Sequence, residues 1–340
     1  MGIVGITYVK SLYTNQRIKA FNAKTVGNGV EVMLQTENKI VYSAFGLRIS
    51  SEIPLPELPH ISEPSDELDI EIRNGDIGRF ADQLFATPFM HVVDEGAVMF
   101  YVPDTAYYSI RDGRFITVSP VQGADEDLIR LYVLGTCMGA LLMQRGILPL
   151  HGSAVAIQGK VYAFVGDSGA GKSTLASAFL SQGYSLVSDD LIAVTLSKED
   201  QKPMVTPSYP QQKLWQDSLN HLGMSSSDLR SIYGREDKYC IPVASNYVTS
   251  PLPLAGVIEL VKTENQLQVV RIEKLDRLQT LFYHTFRPFL IPRLGLMEWH
   301  FQSSSVIANQ ISMYQLSRPE SQFTAPQLVN LILDTLSMEA

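Results

Sequence analysis

Between residues 29 and 118 the chain alternates apolar and polar positions in short runs: GVEVMLQT, KIVYSAFGLRI, ELDIEIRNG, GAVMFYV and AYYSIRDGRFITV. A period of two puts one side of a strand in a core and the other in water. RDG and RNGD read as turns between strands, and IPLPELP is too proline-rich to be regular. The pattern predicts a β-rich N-terminal domain over residues 1–122. The stretch GADEDLIRLYVLGTCMGALLMQRG then changes to helical spacing, with Asp125, Glu126 and Asp127 at its positive end and Arg145-Gly146 closing it. It predicts a bridging helix over 123–146 whose apolar run is too short to span a bilayer.

From residue 147 the texture changes again. SAVAI and KVYAFVG read as strands joined by a Gln158-Gly159 turn. KSTLASAFLSQG reads as a helix, with Leu175, Phe179 and Leu180 on one face and Gly183 as the stop. YSLVSDDLIAVTL returns as a buried strand. This strand, loop, helix, strand order predicts an α/β catalytic domain over 147–340, with the acidic pair of SDD at a strand end, as in open sheets. Further on, PSYPQQKLWQDSLNHLGM has helical content and LAGVIELVK and QLQVVRIEKL read as strands. LDRLQTLFYHTF and TAPQLVNLILDTL read as helices. No internal repeat or low-complexity tail interrupts the chain.

Composition narrows the function classes. A chain of 340 residues, 45% of them apolar, buries a sizeable core. A net charge of −8 without a Lys/Arg run argues against nucleic acid and anionic membrane surfaces as partners. Cys137 and Cys240 lie far apart with no zinc-type spacing, which excludes a disulfide framework and fits a reducing cytosol. The N-terminus carries no secretory pattern, so a cytoplasmic location is expected. Assembly with like chains is compatible with all of this.

The chemistry concentrates in GDSGAGKS, which matches G-x-x-x-x-G-K-[ST] through Gly166, Gly171, Lys172 and Ser173. Gly166, Gly169 and Gly171 let the backbone curl so that successive N–H groups face phosphate oxygens. Asp167, Ser168, Ala170 and Thr174 complete the loop and the helix start. Lys172 is then placed on the β and γ phosphates of ATP, and Ser173 offers a hydroxyl to Mg2+. The bland alternative is a glycine turn opening a helix. Asp189 and Asp190 after the loop helix supply carboxylates, one to organise Mg2+ and one to take a proton from an attacking hydroxyl. Elsewhere such a pair is a solvated turn. His151, 15 residues before Gly166, opens the adjoining strand. It orients Asp189 or tunes its pKa if the hairpin forms, and is otherwise a structural histidine.

Taken together, His151, the GDSGAGKS loop and the SDD pair resemble the catalytic core of HPr kinase/phosphorylase over residues 151–190. The resemblance implies an HPr-kinase-type P-loop domain with Asp189 as general base, His151 as its support, Lys172 on the phosphates, and Ser173 with Asp190 at Mg2+. Thr174 stands where that family usually has Glu, and the family's C-terminal phosphorolysis signature is missing, so phosphorolysis is not implied. FGLRISSEIPLPELP and the 123–156 stretch are similar to HPr-kinase-like proteins found with peptide natural-product genes. That subgroup includes kinases for the C-terminal serine of lasso-peptide precursors, and the wider resemblance covers about residues 40 to 200.

The reading is therefore an ATP- and Mg2+-dependent serine kinase acting on a precursor peptide or small protein that carries an acceptor serine. Its rivals are an HPr serine kinase and a nucleotide-gated peptide-binding module without transfer. Arg235, Lys238, His284, Arg287 and Arg293 are the remaining basic candidates for phosphate or substrate, against the simpler reading of solvated charge.

Overall fold

The computed structural model describes residues 24–26, 29–31, 40–61, 67–77, 84, 91–232, 235–243, 245–264, 267–320 and 322–338. The chain divides into two compact units, Met1–Lys39 and Ile40–Ala340. In the first, β1 (Lys24–Val26) and β2 (Gly29–Glu31) pair antiparallel with Lys24 opposite Glu31. The rest of the strand expected over 29–36 lies outside the described residues.

The second unit opens with β3 (Val41–Ala44), β4 (Leu47–Ser51), β5 (Ile70–Asn74), β6 (His91–Asp94), β7 (Ala97–Val102), β8 (Ala106–Arg111) and β9 (Phe115–Pro120). They form one sheet in the order β3-β4-β5-β9-β8-β7-β6. The alternation has its expected consequence in β8, where Ala106, Tyr108 and Ile110 are buried and the residues between them are not. The buried face packs on one long helical segment: α1 (Glu126–Tyr132), a π-helical turn (Val133–Cys137) and α2 (Met138–Gln144). Asp125 starts it, its carboxylate accepting from the N–H groups of Asp127 and Leu128, which satisfies two of the helix's free donors.

The core under this sheet does not stop at residue 146. Leu141 and Ile116 share it with Leu191, Ala193, Tyr209, Phe286 and Ile291. Residues 40–340 pack as one unit.

The second large sheet contains β10 (Leu148–Ile157), β11 (Lys160–Gly166), β12 (Ser185–Leu196), β13 (Pro203–Thr206), β17 (Leu252–Thr263), β18 (Gln268–Arg271) and β19 (Ser312–Pro319). A separate three-stranded sheet holds β14 (Gln211–Trp215), β15 (Arg230–Ile232) and β16 (Arg235–Pro242). The large sheet runs β11-β10-β12-β13-β17-β19-β18 and is not the open sheet expected, because β11 also pairs with β17. The length of β17 makes this closure: Pro253 pairs with Met204 of β13, while Gly256 onward runs parallel to β11 from Tyr162. Gln158 and Gly159 both have positive φ and form the anticipated β10–β11 turn, as two-residue hairpins require.

The described residues of this unit also form helices α3 (Lys172–Ser181), α4 (Gln216–His221), α5 (Asp276–Tyr283), α6 (Leu290–Arg293), α7 (Met297–Gln310) and α8 (Ala325–Ser337). The helical content expected in PSYPQQKLWQDSLNHLGM lies in α4, while QQKLW before it is strand β14, paired along its length with β16. Neither α7 nor β19 was anticipated: Ser303, Ser304 and Ser305 blur the helical pattern, and β19 is recognisable chiefly by its pairing with β17. No helix among the described residues is long and apolar enough to cross a membrane.

Candidate active site

The glycine loop joins β11 to α3, and its backbone has the geometry that motif requires. Gly166, Gly169 and Gly171 have φ of 144°, 82° and 103°, a region that L side chains rarely adopt. A Cβ on Gly166 would lie 2.6 Å from the Leu260 carbonyl oxygen of β17, so the sheet itself enforces glycine there. Lys172 is only 9% exposed. Its ammonium donates to the carbonyl oxygens of Gly166 at 2.9 Å and Asp167 at 3.0 Å. Burial lowers its pKa, partly offset by Asp190 and Asp189.

Strand β10 lies between β11 and β12, and its register builds the rest of the site. Ser153 stands opposite Asp189, and Gly152 opposite Asp190. Asp189 is buried, and three donors converge on it. Its Oδ1 accepts from the hydroxyls of Ser153 and Ser173, the latter at 2.9 Å, and its Oδ2 accepts from the Lys213 amide at 2.8 Å. Burial pushes this carboxyl up in spite of those hydrogen bonds.

The acidic pair does not end its strand, as expected, but sits in the middle of β12, because residues 191–196 continue the pairing with β10 and β13. Adjacent residues of a regular strand point to opposite faces. Asp190 breaks that alternation with φ of 76°, a strained conformation outside glycine, and both carboxylates line the same cleft. Asp190 is held by Lys213 Nζ at 2.8 Å. Burial alone would raise its pKa, but Lys213, His151 and Lys238 more than offset that and hold it low. Lys213 therefore grips both aspartates, one through its amide and one through its ammonium.

His151 Nδ1 is 3.1 Å from the Asp190 carbonyl oxygen. A carbonyl only accepts, so Nδ1 carries the proton in the neutral ring and Nε2 keeps its lone pair. Burial lowers the imidazole pKa, which favours that neutral form, with Asp190 opposing. The backbone of His151 is anchored too, its N–H donating to the His284 carbonyl at 2.8 Å.

These groups line one cleft of about 1220 Å³. Every candidate residue but Ala170 borders it directly, and Ala170 lies buried at the loop's turn. Of the remaining basic candidates, Lys238, His284 and Arg287 line the cleft, with His284 Nε2 2.8 Å from Glu259 Oε1. Arg293 lies over the Phe289 ring, outside the cleft lining. The side chain of Arg235 lies outside the described ones. Sequence reasoning missed Ser153, Lys213 and Arg318, whose guanidinium Nε donates to the Ala170 carbonyl at 2.8 Å. Ser153 lies two residues after His151, on the same strand, which was a usable signal. Lys213 and Arg318 come from strands far along the chain.

Among the described residues no group of three His, Cys, Asp or Glu side chains is placed to hold a metal. Mg2+ characteristically takes one or two carboxylates together with phosphate and water oxygens. The Ser173 hydroxyl and Asp189 carboxylate, 2.9 Å apart beside the loop, are hard oxygen donors that fit such a partial set.

No family model matches the chain, and no curated protein matches it. Among solved structures, the Hpr(Ser) kinase/phosphatase from Coxiella burnetii is similar at 16% identity, over 56% of this chain and 99% of that one, with a TM-score of 0.31.

Proposed function

We propose that this chain is an ATP- and Mg2+-dependent serine kinase whose acceptor is a peptide, in particular a lasso-peptide precursor ending in serine. The observation that carries the reading is a convergence within one cleft: Lys172 and the loop amides, the Ser173–Asp189 pair, and the Asp190–His151 pair. Phosphoryl transfer asks the protein chiefly for positioning and charge stabilisation, and these are the groups it uses. Loop amides hold the phosphates, and Lys172 moves from the Gly166 and Asp167 carbonyls to phosphate oxygen. The acceptor hydroxyl oxygen bonds to the γ-phosphorus as the bond to the β-bridging oxygen breaks, leaving ADP.

The resemblance casts Asp189 as base and Asp190 at the metal. The contacts support the exchanged roles. Asp189 is 4% exposed and already bound to the loop serine, which suits the metal side. Asp190 is more open, with a side chain 27% exposed, and stays ionised beside His151 under the hold of Lys213, which suits orienting the acceptor hydroxyl and taking its proton late, once bonding to phosphorus has made that proton acidic. Bound Mg2+ would supply neutralisation of the phosphate charge.

The cleft continues past His151 to Phe286, Arg287, Tyr132 and Phe289. An apolar wall with one guanidinium suits a peptide end, with Arg287 taking the terminal carboxylate bidentately. Incubation with labelled ATP tests this. A peptide ending in serine is expected to carry the label on that residue, to lose it on Ser-to-Ala replacement, and to label poorly when amidated. Label on folded HPr alone would favour the HPr-kinase rival. ATP binding without label on either would favour the binding module.

A further inference from the structure

Beyond the loop, the cleft carries groups that phosphate chemistry leaves unused. Thr174 Oγ1 lies 2.8 Å from the Ser218 hydroxyl of α4, and past it the lining consists of His221, Phe323, Thr324 and Leu328. The rings of His221 and Phe323 are stacked, with centroids 4.4 Å apart and planes 14° apart. His221 is exposed, and its Nδ1, 2.7 Å from the Asp217 carbonyl oxygen, fixes the ring.

Thr324 supplies an independent observation. It is 6% exposed, and its buried hydroxyl has no hydrogen-bond partner among the described residues. It stands at the N-cap of α8, where a threonine ordinarily accepts from the N–H of the second or third helical residue. The second residue is Pro326, which has no N–H, and no cap bond forms. A buried polar group left in this way is unusual and points to a partner that arrives with a ligand.

The direction of transfer assigns that ligand. In-line displacement puts the acceptor opposite the leaving β-phosphate. His151 contacts the Phe286 ring, 5.7 Å between centroids, and with Asp190 marks the acceptor end. Thr174, at the start of α3, leads to the other end. We infer that the nucleoside of the triphosphate lies at this second end, its base extending the His221–Phe323 stack and its polar edge bonded to the Thr324 hydroxyl. The inference rests on the phosphate-transfer reading above. Every nucleobase offers a π-face, so the stack distinguishes a nucleoside from bare phosphate without choosing among bases.

Titration calorimetry of the full chain with ATP and with inorganic triphosphate, both with Mg2+, separates the two halves of the cleft. Wild type is expected to bind both. His221→Ala and Phe323→Ala are expected to weaken ATP by roughly 5- to 150-fold, the range of base–aromatic stacking, and to leave triphosphate unchanged. Thr324→Val, similar in shape but without the hydroxyl, is expected to weaken ATP alone, and Phe323→Tyr to retain affinity. Unaltered ATP affinity in His221→Ala and Phe323→Ala, or parallel weakening of ATP and triphosphate in the exposed-site His221→Ala variant, would overturn the nucleoside assignment. Wild type that binds neither compound would overturn the phosphate-loop reading on which it rests, as would Lys172→Ala that binds both normally.

Discussion

Two neighbouring aspartates with the same side chain acquire opposite acidities here, and their surroundings explain it. Asp189 is pushed up by burial, whereas Asp190 is held below its ordinary value of 3.8 by Lys213 and His151 against the same burial cost. The consequences for stability have opposite signs. The Asp190 contribution is present at neutral pH and is lost as pH falls below 3.8 toward its folded value. Asp189 opposes folding while charged, and its cost is relieved as pH falls through its raised folded pKa. Asp190→Asn is therefore expected to flatten the acid limb of a melting-temperature profile below that value, and Asp189→Asn to raise stability at neutral pH relative to pH 4. A profile in which the two variants behave alike would contradict the assignment. In kinetics they separate as well. Asp189→Asn is expected to raise the Mg2+ concentration for half-maximal rate, and Asp190→Asn to lower kcat at saturating Mg2+ by about 10²- to 10⁴-fold, the usual worth of a general base.

Strands β10, β11 and β12 work as one element. Their pairing puts Ser153 beside Asp189 and His151 beside the Asp190 carbonyl, and it depends on close approach at Gly152. A Cβ there would lie 2.2 Å from the Phe164 carbonyl oxygen of β11 and 3.1 Å from the Ile192 side chain. Backbone cannot yield as a flexible side chain does. Gly152→Ala is expected to cost about 3 kcal/mol, the upper part of the range for overpacking, and to lower activity because β10 carries two of the site's residues. Chemical denaturation checks the first effect. A variant as stable as wild type would show that the hairpin spreads at no cost.

Across the whole molecule, the N-terminal sheet is tied to the cleft side by a shared core and by charge. Glu57, Arg130 and Arg230 form a partly buried network, with Arg130 Nε 3.1 Å and Arg230 Nη1 3.4 Å from Glu57 Oε1. Arg130 and Arg230 also both pair with Asp127 at the start of α1. Since the residues packing on β3–β9 include Leu191 and Phe286, residues 40–340 are expected to unfold in one calorimetric transition. Arg130→Ala is expected to lower that transition without splitting it, by about 1–3 kcal/mol, because Arg230 remains on Glu57. Two transitions would show that the sheet is a separable domain.

Local patterns were sufficient for the local features. Two-residue alternation marked β8 and β9, Gln158-Gly159 marked its hairpin, and the spacing of Gly166, Gly171, Lys172 and Ser173 marked a loop between strand and helix. Each is written in consecutive residues, because strand period, turn conformation and loop curvature depend on neighbours a few positions away. What only tertiary structure decided is everything that depends on register between distant strands. It placed the Asp pair inside a strand, and turned Asp190 into the cleft through a positive φ that no side-chain pattern announces. It set Lys213 between the aspartates from β14, and excluded Arg293 from the cleft lining while admitting Arg287. It also closed β11 onto β17. Those outcomes follow from hydrogen-bond pairing and burial across the chain, where the chain's own order carries no information about which partner a strand meets.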